Sequence, residues 1–217
     1  MSMPRQIPVT CKQCAKEHPF TAWESLNVTL DRKAKDQLLK GDLTRFECPD
    51  CGWSGNVVYP MLYHDMEKHF MIWLWTESGD LEPTSVPPTQ LMRDDYRFRI
   101  VGTCIQLIEK VRVFDTDLDD RLLELFKFLL QVQASQGDHP LLGEILFGAL
   151  ERSENGAQSI SFEHLTEAGS ECLAFPMQAY QRVVGSLTSL LPSRRHQVGQ
   201  WLRVDRAFAE SLVRRLL

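Results

Sequence analysis

The sequence predicts an α+β protein, and three observations carry this prediction. Two Cys-x-x-Cys pairs, Cys11/Cys14 and Cys48/Cys51, stand 33 residues apart, and strand-like sequence follows each of them. A stretch with three prolines in eight residues, 82–89, then interrupts the chain. Beyond it, two segments with apolar helical faces precede a further strand pair and two more helices. Strands and helices are therefore expected in separate runs, as in the α+β class.

The four cysteines predict a metal site. Four thiols arranged as two knuckles are the ligand set of a tetrahedral Zn²⁺ site, so we expect one structural Zn²⁺ per chain. Its ligands are Cys11, Cys14, Cys48 and Cys51. In the second knuckle Pro49 favours a tight turn, and Gly52 can adopt a positive φ just after the last ligand. Lys12 and Lys16 lie near a site whose thiolates outweigh the charge of the metal.

Two other interpretations of the cysteines are weaker. Residues 1–6 contain no apolar segment that would direct export, so we expect a cytoplasmic protein, in which a disulfide framework is disfavoured. A thioredoxin-like pair would occur once, at the start of a helix in a βαβ unit, whereas this chain has two pairs. A closed site with four thiolates favours a structural role for the metal.

The segments around the knuckles predict a zinc-ribbon-like module over residues 1–80. Residues 23–30 alternate polar and apolar side chains like a half-buried strand, and residues 31–41 have the N-cap, helix formers and final glycine of a short helix. Residues 57–63 and 70–75 flank a polar reversal and predict a β-hairpin. We therefore expect an antiparallel sheet of three or four strands with a helix inserted between the knuckles.

The remainder of the chain predicts a linker and a second part. Residues 81–93 are expected to be a semi-extended Pro-rich linker. Residues 94–217 are expected to hold an αα-hairpin, with helices at 95–113 and 117–131, and then a mixed carboxy-terminal part. That part should contain a hairpin of 144–150 with 158–162, followed by helices at 177–190 and 205–217. The acidic run 115–120 suits a helix N-terminus better than a calcium loop, which needs a central glycine.

The composition of the chain limits the classes of partner that it is expected to bind. The chain has 217 residues and a formal net charge of −5, and no apolar run approaches the about 20 residues that span a bilayer. We therefore expect no membrane association. No segment has the basic excess typical of a non-specific nucleic-acid binder. Nucleic-acid binding stays open only by analogy with other zinc ribbons.

The sequence favours a non-enzymatic interaction module and assigns no catalytic residue. In this interpretation Trp53, Trp73 or Trp75 would be exposed and contact an unidentified protein partner. The competing hypothesis is an enzyme whose site lies at the hairpin corner, where His64, Asp65 and His69 would have to converge on one cleft. We expect instead that Asp65 accepts backbone N–H groups of the turn and that His64 is either a surface group or a group that supports a neighbouring residue.

Five segments, taken in order, resemble the bacterial CpXC family; they are Cys11–Cys14, Ser25–Asp31, Leu38–Leu43, Cys48–Gly52 and Leu62–Asp65. Residues 100–101 and 119–121 also look similar, so the resemblance covers residues 7 to 130 approximately. Lys12 departs from the family pattern, whose name implies proline there. The resemblance implies a zinc-binding domain and supplies no reaction.

Overall fold

The computed structural model describes residues 2–76, 95–137, 140–167, 169–191 and 199–215. The Pro-rich stretch and the expected linker, 81–93, lie outside the described residues, so the proposed division of the chain there stays a prediction. Backbone contacts group the chain into two compact units. The first contains residues 1–108 and 197–202, and the second contains residues 109–196 and 203–217.

The predicted α+β class is confirmed, because the described residues form five α-helices together with a mixed sheet and antiparallel sheets. The elements in chain order are β1 (Met3–Thr10), β2 (Glu17–Asn27), α1 (Arg32–Lys40), β3 (Arg45–Glu47), β4 (Ser54–Asn56), β5 (Met61–Asp65), β6 (Phe70–Leu74), β7 (Arg97–Val101), α2 (Cys104–Asp115), α3 (Asp120–Ser135), β8 (Glu144–Arg152), β9 (Gln158–Thr166), β10 (Gly169–Pro176), α4 (Met177–Leu187), β11 (Trp201–Leu202) and α5 (Arg206–Arg214). No helix in these described stretches is both long and apolar enough to cross a membrane.

The main sheet of the first unit has six strands in the order β1-β2-β5-β6-β7-β11. The expected antiparallel sheet is wrong in this respect, because β2/β5, β6/β7 and β7/β11 are parallel pairs. Between β2 and β5 the chain forms α1 and the small β3/β4 hairpin, and such long connections allow neighbouring strands to run in the same direction. The predicted hairpin is present as the antiparallel pair β5/β6.

Helix α1 forms where the sequence predicts it. The Asp31 carboxylate accepts the backbone N–H of Ala34 at 3.2 Å and caps the first turn. Gly41 ends the helix in the left-handed conformation, with φ of 80°, and its N–H bonds to Leu38 O at 2.9 Å. Ala34 and Leu38 are the buried side chains of this helix, so its apolar face is narrow.

The predicted helix at 95–113 is wrong in its first half. Residues 97–101 form strand β7, paired in parallel with β6, and helix α2 begins only at Cys104. The β-branched pair Ile100 and Val101 suits a strand, and Thr103 then accepts the N–H of Gln106 at 3.2 Å at the start of the helix. Pairing with a distant strand therefore outweighed the helical spacing of the apolar residues.

The second unit packs helices on a three-stranded antiparallel sheet of order β10-β9-β8. Phe126 of α3 stacks on Phe162 of β9, with ring centroids 5.6 Å apart, and lies edge-on to Tyr180 of α4. The predicted carboxy-terminal hairpin and both later helices are confirmed. The acidic run also behaves as expected, because Asp119 caps α3 by accepting the N–H of Arg121 at 3.0 Å.

The interior of the second unit also contains an ionic cluster that the sequence did not predict. Its five buried charged side chains are Glu109, Lys110, Asp120, Glu124 and Lys127. Lys127 Nζ lies 2.8 Å from both Glu109 and Glu124 carboxylates, and Lys110 Nζ lies 3.2 Å from Glu124 and 3.5 Å from Asp120. Glu109 also accepts the backbone N–H of Phe147 at 2.7 Å. The cluster thus joins α2, α3 and β8.

Candidate metal centre

The first knuckle is the turn of the β1/β2 hairpin. Cys11 follows β1 directly, and its N–H bonds to Lys16 O at 2.9 Å, which closes the loop that carries Cys14. The N–H of Ala15 bonds to Cys11 O at 3.0 Å, and Ala15 adopts a left-handed φ of 58°. The N–H of Gln13 points at Cys11 Sγ at 3.4 Å. A backbone donor thus already faces one of the candidate ligands.

The second knuckle is the turn of the β3/β4 hairpin and is built in the same way. The N–H of Cys48 bonds to Trp53 O at 2.7 Å, and the N–H of Gly52 bonds to Cys48 O at 2.9 Å. Gly52 has φ of 72°, as its position after the last cysteine predicted. A glycine adopts this conformation without the steric cost that Ala15 has in the first knuckle.

The two knuckles bring all four sulfur atoms together. Cys11 Sγ lies 3.6 Å from Cys51 Sγ, Cys14 Sγ lies 3.6 Å from Cys48 Sγ, and all four lie within 4.8 Å of one another. A tetrahedron with Zn–S bonds of about 2.3 Å has sulfur–sulfur edges of about 3.8 Å. The cluster therefore has the dimensions of a tetrahedral four-thiolate metal site, and the four predicted ligands are the residues that the fold assembles.

The pKa values of the cysteine thiols are also consistent with a bound metal cation. Burial raises the pKa of Cys11, but the N–H groups of Cys14 and Gln13, together with hydrogen bonds from the thiols of Cys51 and Cys48, lower it to about 7. At Cys51 the N–H of Trp53 lowers the pKa, but burial and the neighbouring thiols raise it to about 12. Adjacent thiolates thus oppose each other's ionisation, and a bound metal cation would remove this repulsion.

Two residues that sequence reasoning missed lie beside the thiols. His18 Nε2 is 3.5 Å from Cys48 Sγ and 3.2 Å from the Asp50 carboxylate, which also pairs with Lys16 Nζ at 3.2 Å. Asp50 raises the pKa of Lys16. His18 follows no motif, whereas Asp50 sits inside the second knuckle, whose pattern assigns it no role. Both surround Cys48 with polar groups that can hold its side chain in place.

A comparison with known protein families identifies the family to which the chain belongs. Residues 9–127, more than half of the chain, match the family model described as CpXC protein. The chain belongs to the CpXC family. No curated protein matches the chain. No solved structure matches it.

The matched region of this CpXC protein also includes the hairpin corner. Asp65 accepts the N–H groups of Glu67 and Lys68 at 3.1 and 2.9 Å, as predicted, and pairs with Lys35 at 3.5 Å. The half-buried His64 shares a hydrogen bond with the hydroxyl of Tyr96, and His69 stacks on the ring of Tyr96. The two histidines therefore approach one tyrosine, whereas Asp65 serves the turn. Among the described residues, the potential ligand atoms of His64, Asp65 and His69 do not all lie within 4.8 Å of one another, so the three form no metal-binding group.

The tryptophans expected at a partner surface are not exposed. Trp53 packs on Phe46 beside the cysteines, and Trp73 lies edge-on to Trp201, with ring centroids 5.5 Å apart. Trp75 is also only partly accessible. All three side chains are half-buried, so the expectation that they are exposed is not met, and their contact with a partner stays a prediction. The existence of a protein partner stays a prediction.

Proposed function

We propose that this CpXC protein is a cytoplasmic zinc protein in which a structural Cys₄ zinc site supports a non-enzymatic protein-interaction module. The observation that carries the proposal is the convergence of four sulfur atoms from two hairpin turns within 4.8 Å. Cys11, Cys14, Cys48 and Cys51 would hold the metal, which supplies positive charge and fixes the two turns to each other. Four sulfur ligands leave Zn²⁺ no open position for substrate or water.

Burial at the cluster supports a structural role. Cys11 and Cys48 are each only 1% exposed, and they pack with Phe46 in a small apolar cluster that includes Val9 and Trp53. The β3/β4 hairpin has three residues in each strand, so few backbone contacts of its own hold it. A metal shared by the two hairpins would supply the missing stabilisation, as in small zinc domains that fold only with metal.

Metal analysis of the purified protein tests the zinc assignment. We expect one Zn²⁺ per chain, loss of this zinc in Cys48→Ser, and no loss in Cys172→Ser, whose exposed cysteine lies outside the cluster. Replacement of Zn²⁺ by Co²⁺ should give the absorption of a tetrahedral thiolate site. A folded, metal-free wild-type protein, or equal zinc in Cys48→Ser and wild type, would contradict the proposal.

A further inference from the structure

A groove of about 550 Å³ lies beside the metal centre in the first unit. Its walls include Thr21 and Trp23 of β2, Arg45 and Glu47 of β3, and Leu43 from the connection before β3. On each strand, residues that are adjacent in sequence line the groove. Adjacent side chains point to opposite faces of a strand, so a groove that lay over one face would not contact both. The groove therefore follows the edges of β2 and β3, and we refer to it as the edge groove.

The β2 edge is unpaired along the edge groove. β1 pairs with one side of residues 17–25, whereas β5 pairs with the other side only at residues 25–27. Pro4 faces Trp23 and Pro8 faces Pro19 across the β1/β2 ladder, and a proline has no N–H to donate, so the backbone groups of Trp23 and Pro19 point away from β1. Backbone groups alternate in direction along a strand, so the N–H and C=O of Thr21 also point away from β1.

The β3 edge is unpaired in the same manner. The N–H of Cys48 bonds to Trp53 O and the N–H of Val57 bonds to Thr44 O, so both Thr44 and Cys48 point toward the β4 side of the hairpin. By alternation the N–H and C=O of Glu47 point away from β4. Among the described residues, no backbone hydrogen bond outside the strand ladders reaches Thr21 or Glu47.

We propose that the edge groove binds an extended peptide segment of a partner protein, which adds a strand between β2 and β3. Free backbone donors and acceptors on both walls require an occupant that offers the same groups at strand spacing, and an extended peptide does so. The aromatic side chain of Trp23 and the apolar side chain of Leu43 give contacts for alternate peptide side chains. This inference rests on the proposed function and assigns the interaction to one site.

Charge defines the peptide further. Asp42 and Glu47 line the edge groove together with Arg45, so its charged side chains carry a net negative charge. A basic side chain in the peptide complements this balance, whereas the phosphates of a nucleic acid would be repelled. The expected partner segment is therefore short, extended and apolar, with at least one lysine or arginine.

The test uses the full-length zinc-loaded protein and a random heptapeptide library displayed on phage. Peptides selected on the wild type are synthesised, and their Kd is measured against Thr21→Pro, which removes the outward N–H, and Thr21→Val, which keeps it. Both variants lose the bond from Gln6 Nε2 to Thr21 Oγ1, so they are matched. We expect Thr21→Pro to weaken binding at least tenfold and Thr21→Val to change it less than twofold.

A second measurement does not depend on the folding of a variant. N-methylation of a central peptide amide should weaken binding to the wild type at least tenfold, and the amide signals of Thr21 and Glu47 should shift when the unmodified peptide is added. Equal binding to Thr21→Pro and Thr21→Val with no shift at these amides, or selection of no peptide at all, would overturn the inference. The zinc content of the same samples tests the proposed function separately.

Discussion

The first unit gathers four thiols, and the second unit gathers the carboxylates of Glu109, Asp120 and Glu124 in its interior. Members of either set repel one another when they are ionised. Under the proposed function the thiols depend on a cation from solution, whereas the carboxylates have Lys110 and Lys127 among them. Metal should therefore control the stability of the first unit, and internal ion pairs that of the second.

Metal removal should have the largest effect and act on the first unit. A structural zinc contributes an apparent 10–16 kcal/mol or so in small zinc domains, comparable to the about 5–15 kcal/mol of a whole domain. We expect a chelator to abolish hydrogen-exchange protection of the Cys48 and Gly52 amides, which now bond within the second knuckle. Readdition of Zn²⁺ should restore it. Unchanged protection in verified metal-free protein would break the comparison.

Loss of one ammonium group should have the next largest effect. Lys127→Met leaves Glu109 and Glu124 buried without their shared partner, so we expect a loss of about 3–5 kcal/mol in the free energy of unfolding. The control is Arg214→Met, which removes an exposed ion pair with Glu210 and should cost less than about 1 kcal/mol. Denaturant unfolding measures both values. Equal losses in the two variants would show that the buried ion pairs of Lys127 contribute no more to stability than the exposed ion pair of Arg214.

The sequence predicted the thiol cluster but not the ionic cluster, because only the thiol cluster is encoded by short local patterns of residues. Each knuckle is a local pattern of four residues, and the ends of α1 depend on the nearby residues Asp31 and Gly41. The ionic cluster joins charges on α2 and α3, and charged residues on amphipathic helices usually face solvent. Their burial depends on packing against β8, which no local spacing encodes.

The same distinction explains the errors in the first unit. Strand β7 pairs in parallel with β6, and β1 contains Pro4 and Pro8, which disfavour a strand prediction. β1 is the edge strand of the six-stranded sheet, where prolines are tolerated, but its position at the edge depends on which strands pair in the fold. The edge groove was likewise unpredictable, because a strand edge is known to be unpaired only when the pairing of all the neighbouring strands is known. The prediction of the α+β class and the choice of the four cysteines as candidate ligands needed no such information.

The ionic cluster has three carboxylates and only two lysines. The pH dependence of stability should reveal the titration of one of these carboxylates, that of Glu124. Burial raises the pKa of Glu124 above its ordinary 4.5, although Lys127 and Lys110 act in the opposite direction. A carboxyl with a raised folded pKa contributes stability that is present below its ordinary pKa and is lost as pH rises through the folded pKa. A tenfold difference in proton affinity between the folded and unfolded states corresponds to about 1.4 kcal/mol of this stability.

Glu124→Gln lacks this titration and keeps an oxygen that can accept from Lys127. We therefore expect its free energy of unfolding to increase relative to that of the wild type as the pH rises above 4.5, so that the variant becomes relatively more stable. Urea unfolding of both proteins at several pH values between about 4.5 and 8 measures the difference. A constant difference would mean that Glu124 holds the same charge in both states throughout this range.

The smallest expected effect separates the two knuckles themselves. Ala15 has a positive φ at the position where the second knuckle has Gly52, and a side chain in this conformation costs about 1–2 kcal/mol. Glycine adds entropy to the unfolded chain, so the net gain from Ala15→Gly should be at most about 1 kcal/mol.

Gly52→Ala is the mirror control. No atom lies within 4 Å of the added Cβ, so the stability that this variant loses reports backbone conformation alone. We expect the midpoint of thermal unfolding of the zinc-loaded protein to rise in Ala15→Gly and fall in Gly52→Ala. A fall in both would show that Ala15 contributes contacts that outweigh its backbone strain, and that the two turns are not equivalent in their conformational requirements.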